Sequence, residues 1–289
     1  MLNRLFGNYL VNRGRLDQSQ LDTLLNDART YTASPETVIT LNKILTPAQV
    51  QSVMENHIGE ESFMETALRT QMITDSQSEQ ILAFQSLPVM CFMQLLMDRQ
   101  ILSKDELMTA IADFQMYSQF TDEQLHVLCI DDMEQIIKIF VPFQNPRMHE
   151  LTVTLLQTIK RLIDKNVYID KAYMAHSIQI DRYAAQTLMG DMKVKFYLSA
   201  PMNNLLAIAN HFAGQSYSEV NMDALDNVGE FINCVSGLFA TNLSYEGINI
   251  DMDAPDYGME GPYLNNGKIY VIPIHANRFS FRAVFELQQ

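Results

Sequence analysis

The sequence predicts an α+β chain in three parts. Residues 1–120 read as an all-helical repeat domain, 121–146 as a helical connector, and 147–289 as a domain of mostly antiparallel sheet with about three helices. Three observations predict this. A turn-and-cap pattern recurs through the first part. After Asn145-Pro146 several apolar runs switch from helical spacing to alternation. A length of 289 residues also corresponds to about two domains.

The repeat comes first. Residues 12–21, 42–50, 70–77 and 99–107 share one form: a helix end, a turn, an aliphatic anchor, then an Asp, Ser or Thr that caps the next helix. The anchors Leu16, Leu45, Ile73 and Leu102 stand 29, 28 and 29 residues apart. An apolar stripe follows each cap: Leu21, Leu24 and Leu25; Val50, Val53 and Met54; Ile81 and Leu82; Leu107 and Ile111. Offsets of three and four mark one helix face. Pro47 takes the first helical position after Thr46, where its missing N–H costs nothing. Units this small cannot bury such a face alone, so four helix–turn–helix units must stack.

Further caps occur at Phe120-Thr121-Asp122-Glu123 and Asp131-Asp132-Met133-Glu134, before Asn145-Pro146 breaks the chain. An amphipathic helix then runs over 147–165, with Leu151, Leu155, Ile159, Leu162 and Ile163 on one face. Strand-like runs follow at 167–169, 175–180, 192–198, 248–252, 268–274 and 279–287, interrupted by helices at 201–213 and 222–243. Alternation of apolar and polar residues predicts a sheet with one face on the core, layered with helices.

Charge and composition narrow the function. Twenty Lys and Arg against 34 Asp and Glu give a net charge of −14. That argues against a general nucleic-acid binder or an anionic-membrane binder and suits a basic partner surface. No run of about 18 apolar residues exists to span a membrane, and the first ten residues lack signal-peptide architecture. Cys91, Cys129 and Cys234 are odd in number and scattered, which fits a reducing compartment, so the expected location is cytoplasmic. His57, His126, His149, His176, His211 and His275 show no ligand-like spacing, and no metal site is expected. The acidic segment 251–260 fits no EF-hand and reads as a solvated turn.

The helix over 222–243 carries the chemistry. On a helical projection Leu225, Val228, Phe231, Ile232, Val235, Leu238 and Phe239 share one arc of about 140°. Asp226, Glu230 and Asn233 fall opposite, with Gly229 and Gly237 beside them. Interior helix glycines cost about 1 kcal/mol relative to Ala. Two here predict a bare groove that a partner can approach closely, with Asp226, Gly229 and Gly237 as partner-binding positions.

The pattern Asp-x-Val-Gly-Glu-x-x-Asn-x-Val-x-Gly, beginning at Asp226, closely resembles the signature helix of the CheC/CheX chemotaxis phosphatases. Residues 147–289 are similar to the CheX layout from leading helix to closing strand pair. The resemblance implies a hydrolase of two-component signalling, acting on the phospho-aspartate of a phosphorylated, CheY-like response regulator. It places catalysis on Glu230 and Asn233: Glu230 pairs with the regulator's active-site Lys, and Asn233 holds the attacking water through donor and acceptor. It implies no cofactor of the protein's own, Mg²⁺ being supplied by the regulator, and a homodimer formed through sheet edges. Helix 203–214 looks like a degenerate copy: Asn210 and Gly214 match Asn233 and Gly237, but Ala207 replaces the carboxylate. Asn210 is therefore expected to be structural.

A second resemblance covers the N-terminus. Gly7-x-x-Leu10-x-x-x-Gly14-x-Leu16-x-x-x-x-Leu21 is similar to the N-terminal helical module of type II secretion and type IV pilus ATPases, some of which bind cyclic di-GMP. Here Arg4-Leu5-Phe6-Gly7 stands one residue out of register, and Asp27-Ala28 replaces the closing Gln. Three readings follow: a regulator phosphatase, a catalytically silent adaptor that recognises a receiver domain, and a cyclic di-GMP effector through residues 4–28.

Overall fold

The structure, a computed structural model, describes residues 1–265, 267–276 and 279–288; residue 289, the end of the second expected domain, lies outside them. The chain divides into two compact units, Met1–Asp131 and Asp132–Gln289.

The first unit is helical: α1 (Leu2–Asn12), α2 (Gln18–Asp27), α3 (Pro35–Leu41), α4 (Pro47–Glu55), α5 (Phe63–Arg69), α6 (Asp75–Gln85), α7 (Pro88–Asp98), α8 (Lys104–Ser118) and α9 (Asp122–Ile130). The repeat is visible in the backbone. At each turn one residue is left-handed: Gly14 (φ 69°), Lys43 (φ 53°), Gln71 (φ 56°) and Gln100 (φ 56°). The following N–H reaches back five residues, from Arg15 to Leu10, Ile44 to Ile39, Met72 to Ala67 and Ile101 to Leu96. This is the Schellman closure of a helix end. The anchors Leu16, Leu45, Ile73 and Leu102 come next and are buried. Asp17, Thr46, Thr74 and Ser103 then cap the second helix, and Gln20, Gln49, Gln77 and Glu106 return the bond to the cap backbone.

Gly7 is explained by packing. A Cβ there would stand 2.2 Å from Leu21 Cδ1, so only glycine lets α1 lie this close to α2. Arg4 is buried and pairs with Asp22 at 2.7 Å. Two residues of the expected stripes leave the core: Met54 and Leu82 are exposed. Helices α4 and α6 bury narrower arcs, on Val50 and Val53 and on Ile81. Within 121–146, α9 ends the first unit and α10 (Met133–Phe140), capped by Asp132, opens the second.

The second unit continues with α11 (Pro146–Leu162), β1 (Tyr168–Ile169), β2 (Tyr173–Ala175), β3 (Ile178–Gln179), β4 (Arg182–Gly190), β5 (Val194–Ala200), α12 (Leu206–Ala213) and α13 (Met222–Ser244). It closes with β6 (Ile250–Met252), β7 (Asp256–Gly258), β8 (Tyr263–Leu264), β9 (Ile269–Ala276) and β10 (Phe279–Leu287). The main sheet is antiparallel, in the order β1-β9-β10-β5-β4-β6, with β2 also on β9 and β7 on β4. On one face Phe196 lies opposite Phe285 and Gln186, with the phenyl rings 5.2 Å apart. On the other, Tyr197, Val271, Val284 and Ala185 pack with Ile180 and Leu264.

The sheet is thus buried on both faces rather than one, because the small β3–β8 ribbon brings Leu264 over its second side. The expected 175–180 strand divides into β2 and β3, which pair with different partners. The sequence reading missed β4. Its Ala184, Ala185 and Gln186 are weak strand formers and interrupt the apolar pattern.

Candidate functional site

Helix α13 begins at Asn221, whose Oδ1 accepts from Ala224 N at 2.8 Å. Leu225, Val228, Phe231, Ile232, Val235 and Phe239 are buried, and Phe231 meets Phe212 of α12 edge-on at 5.7 Å. Leu238 departs from the expected arc: it lies at the margin of the buried stripe and is 46% exposed. On the opposite side Asp226 and Glu230 are exposed and Asn233 is half-buried. Among the described residues Glu230 makes no hydrogen bond or ion pair, so its carboxylate is free for an external cation.

The neighbours of this face come from elsewhere in the chain. Gln186 of β4, 1% exposed, lies beneath the helix. Its Nε2 donates to Asn233 Oδ1 and to the Asp253 carbonyl, each at 2.8 Å. Its own Oε1 is buried with no hydrogen-bond partner among the described residues. Segment 253–257 packs along α13. A Cβ on Gly229 would stand 3.1 Å from Pro255 Cβ and 3.6 Å from Tyr257 Cδ1. The Asp226 carboxylate pushes the Tyr257 phenol above its usual range. Asp256 accepts from the Tyr183 hydroxyl at 3.1 Å and lies 3.6 Å from Lys195 Nζ.

Gly229 therefore serves differently from the expectation. Gly229 is buried, and the space above it is filled by the chain's own Pro255 and Tyr257 rather than left bare. Gly237 is half-buried, with Met252 Cε 4.0 Å from where a Cβ would stand. The acidic segment expected as a solvated turn is part of the site, because its backbone carbonyl and Pro255 find polar and close-packed partners there. Asn210 is held at both ends by the backbone of Tyr217, donating to its carbonyl at 3.1 Å and accepting from its N–H at 2.7 Å. Those bonds tie the chain after α12 and leave the side chain a structural task.

Gln186 is the residue that sequence reasoning missed. A lone glutamine between Ala185 and Thr187 carries no motif, and only strand pairing puts it on the face beneath α13. Elsewhere, a groove of about 710 Å³ runs between α1 and α8 in the first unit, lined by Tyr9, Arg13, Arg15, Asp113 and Tyr117 among others. Among the described residues no group of three His, Cys, Asp or Glu could hold a metal ion, and no single helix is long and apolar enough to cross a membrane.

Fold and site together define an α+β domain whose long helix presents a free carboxylate and, one turn on, a supported carboxamide. Residues 182–275, from β4 to β9, match the family model of the chemotaxis phosphatase CheX, and the second unit carries a CheX-like domain. Among solved structures the chain is similar to the chemotaxis protein CheX of Desulfovibrio desulfuricans, at 18% identity and TM-score 0.43, over 50% of this chain and 100% of that one. It is similar to CheX of Vibrio vulnificus at 16% identity and TM-score 0.43, over 50% and 100%. A third is CheX in the CheX–CheY–BeF₃–Mg²⁺ complex of Borrelia burgdorferi, at 14% identity and TM-score 0.38, over 48% and 94%. No curated protein matches the chain.

Proposed function

We propose that the second unit binds the phosphorylated, CheY-like receiver domain of a response regulator and hydrolyses its phospho-aspartate. The observation that carries this reading is the pairing of free Glu230 with supported Asn233 on α13, inside the segment that matches the CheX family. An acyl phosphate is already activated, so catalysis is mainly the positioning of an in-line water. The water oxygen bonds phosphorus, the bond from phosphorus to the acyl oxygen breaks, and aspartate leaves as carboxylate. Both water protons end on phosphate: R–COO–PO₃²⁻ + H₂O → R–COO⁻ + H₂PO₄⁻. Asn233 orients the water, and Glu230 pairs with the receiver's active-site lysine. Asp226, Gly237 and the exposed apolar Leu238 and Met252 form the docking edge, while Gly229 acts by seating Pro255. Mg²⁺ enters with the receiver. The net charge of −14 favours encounter with a basic surface. The protein is proposed to work in the cytoplasm, as a homodimer through sheet edges.

The test is the phospho-aspartate lifetime of receiver domains charged with acetyl phosphate, with wild-type protein and with Asn233→Ala. Accelerated decay that falls about 100-fold in the variant is expected when a positioning group is removed. Unchanged decay together with phosphorylation-dependent binding makes the protein an adaptor and overturns catalysis.

A further inference from the structure

We infer that Gln186 is a positioning residue that fixes which end of the Asn233 carboxamide faces outward: Oδ1 is held inward and Nδ2 is presented. The consequence for catalysis rests on the phosphatase reading; the orientation itself does not.

A backbone carbonyl can only accept. The Gln186 atom 2.8 Å from the Asp253 carbonyl is therefore the amide nitrogen. That nitrogen also lies 2.8 Å from Asn233, and its second hydrogen must meet an acceptor, which in Asn233 is Oδ1. Both Nε2 hydrogens are engaged. Inverting Gln186 would set its oxygen against two acceptors and leave the amide hydrogens buried without partners. The orientation is thus fixed by a group that cannot itself be inverted.

The surroundings sharpen this. Gln186 shares the buried face of β4 with Ala184 and Leu188, opposite Phe196. A leucine or methionine would fill the same volume without burying an unpartnered oxygen. Glutamine instead buries Oε1 with no partner among the described residues, a penalty that native structures rarely carry without a purpose. The purpose is the pair of hydrogen bonds to Asn233 and to segment 253–257, which itself covers Gly229.

With Oδ1 turned toward Gln186, Asn233 offers the partner its N–H donors. A donor can hold a lone pair of the attacking water or a phosphoryl oxygen, but it takes no proton from water. This fits the proton balance above, in which both water protons end on phosphate. It also replaces the expected use of the carboxamide through donor and acceptor alike.

The experiment is side-chain amide NMR on the full chain, with the Asn233 signals identified by their loss in Asn233→Ala. In wild type the Gln186 Nε2 hydrogens should exchange slowly with solvent and the Asn233 Nδ2 hydrogens quickly. The reverse order overturns the inference. In Gln186→Met, similar in size but without donors, the Asn233 Cγ resonance should move upfield as Oδ1 loses its bond. An unmoved resonance also overturns it. On phosphorylated receiver, Gln186→Met should lower kcat about tenfold, as expected for loss of one hydrogen bond in the transition state, with KM unchanged. Asn233→Asp, which keeps the bond from Gln186 and removes the outward donors, should be inactive. An active Asn233→Asp, or kcat and KM moving together in Gln186→Met, refutes the donor role. If wild type fails to accelerate decay, the phosphatase reading falls while the exchange order still decides the orientation.

Discussion

Replacing Gly14 with alanine should destabilise the first unit by about 1 kcal/mol, and replacing Gln100 with glycine should stabilise it by a similar amount. The four repeat turns make this an internally controlled comparison. Gly14, Lys43, Gln71 and Gln100 occupy the same left-handed position, with φ between 53° and 69°. A Cβ at Gly14 meets nothing within 4 Å, so the alanine changes backbone energy and not packing. The left-handed conformation costs an L-residue about 1–2 kcal/mol. Alanine's smaller unfolded-state entropy returns about 0.4–1 kcal/mol of that. The difference is about fivefold in the ratio of folded to unfolded protein. Lys43, Gln71 and Gln100 are exposed, so glycine there relieves strain without removing a buried contact. The assay is urea-dependent thiol labelling of Cys91, read by peptide mass spectrometry. Cys91 is fully buried on α7 and burial holds its thiol pKa up, so labelling requires opening of the unit. A neutral Gly14→Ala, or a destabilising Gln100→Gly, would refute the equivalence of the turns and the backbone origin of the effect.

Two further predictions concern the second unit. Gly229→Leu should lose about 1–2 kcal/mol, since overpacking against Pro255 and Tyr257 exceeds the gain in helix propensity. It should also expose segment 253–257 to limited proteolysis, and an unchanged digestion pattern counts against that segment's packing on α13. Asp170 accepts from His275 Nε2 at 2.8 Å, and that bond holds its carboxyl below the usual carboxylate range. A lowered folded-state pKa gives a contribution present above about pH 4, the unfolded value, and lost as pH falls through the folded value. His275→Ala should raise the Asp170 titration midpoint in carbon-13 NMR; an unmoved midpoint removes His275 as the cause.

Much of the architecture was legible because it is encoded locally. The anchors Leu16, Leu45, Ile73 and Leu102 and their caps lie within a few residues of the turns they shape, so spacing alone exposes the repeat. Strand β10 and helix α13 fall where period and capping place them, to within one residue. Glu230 and Asn233 were readable from one helix because their spacing sets their common face. Illegible were β4, whose Ala184 and Ala185 acquire strand character only between β5 and β7, and Leu238, where the projection could not locate the edge of the core.

The sequence by itself determined the helical repeat, the α+β second unit and the carboxylate and carboxamide on one exposed helix face. Only tertiary structure decided what surrounds them. Gln186 reaches Asn233 across 47 positions of chain, and Pro255 reaches Gly229 across 26. A helix period states which residues share a face but not what will lie against it. That depends on which strands pair and in what register, a choice made by the buried apolar surface of the whole unit rather than by any short stretch of residues.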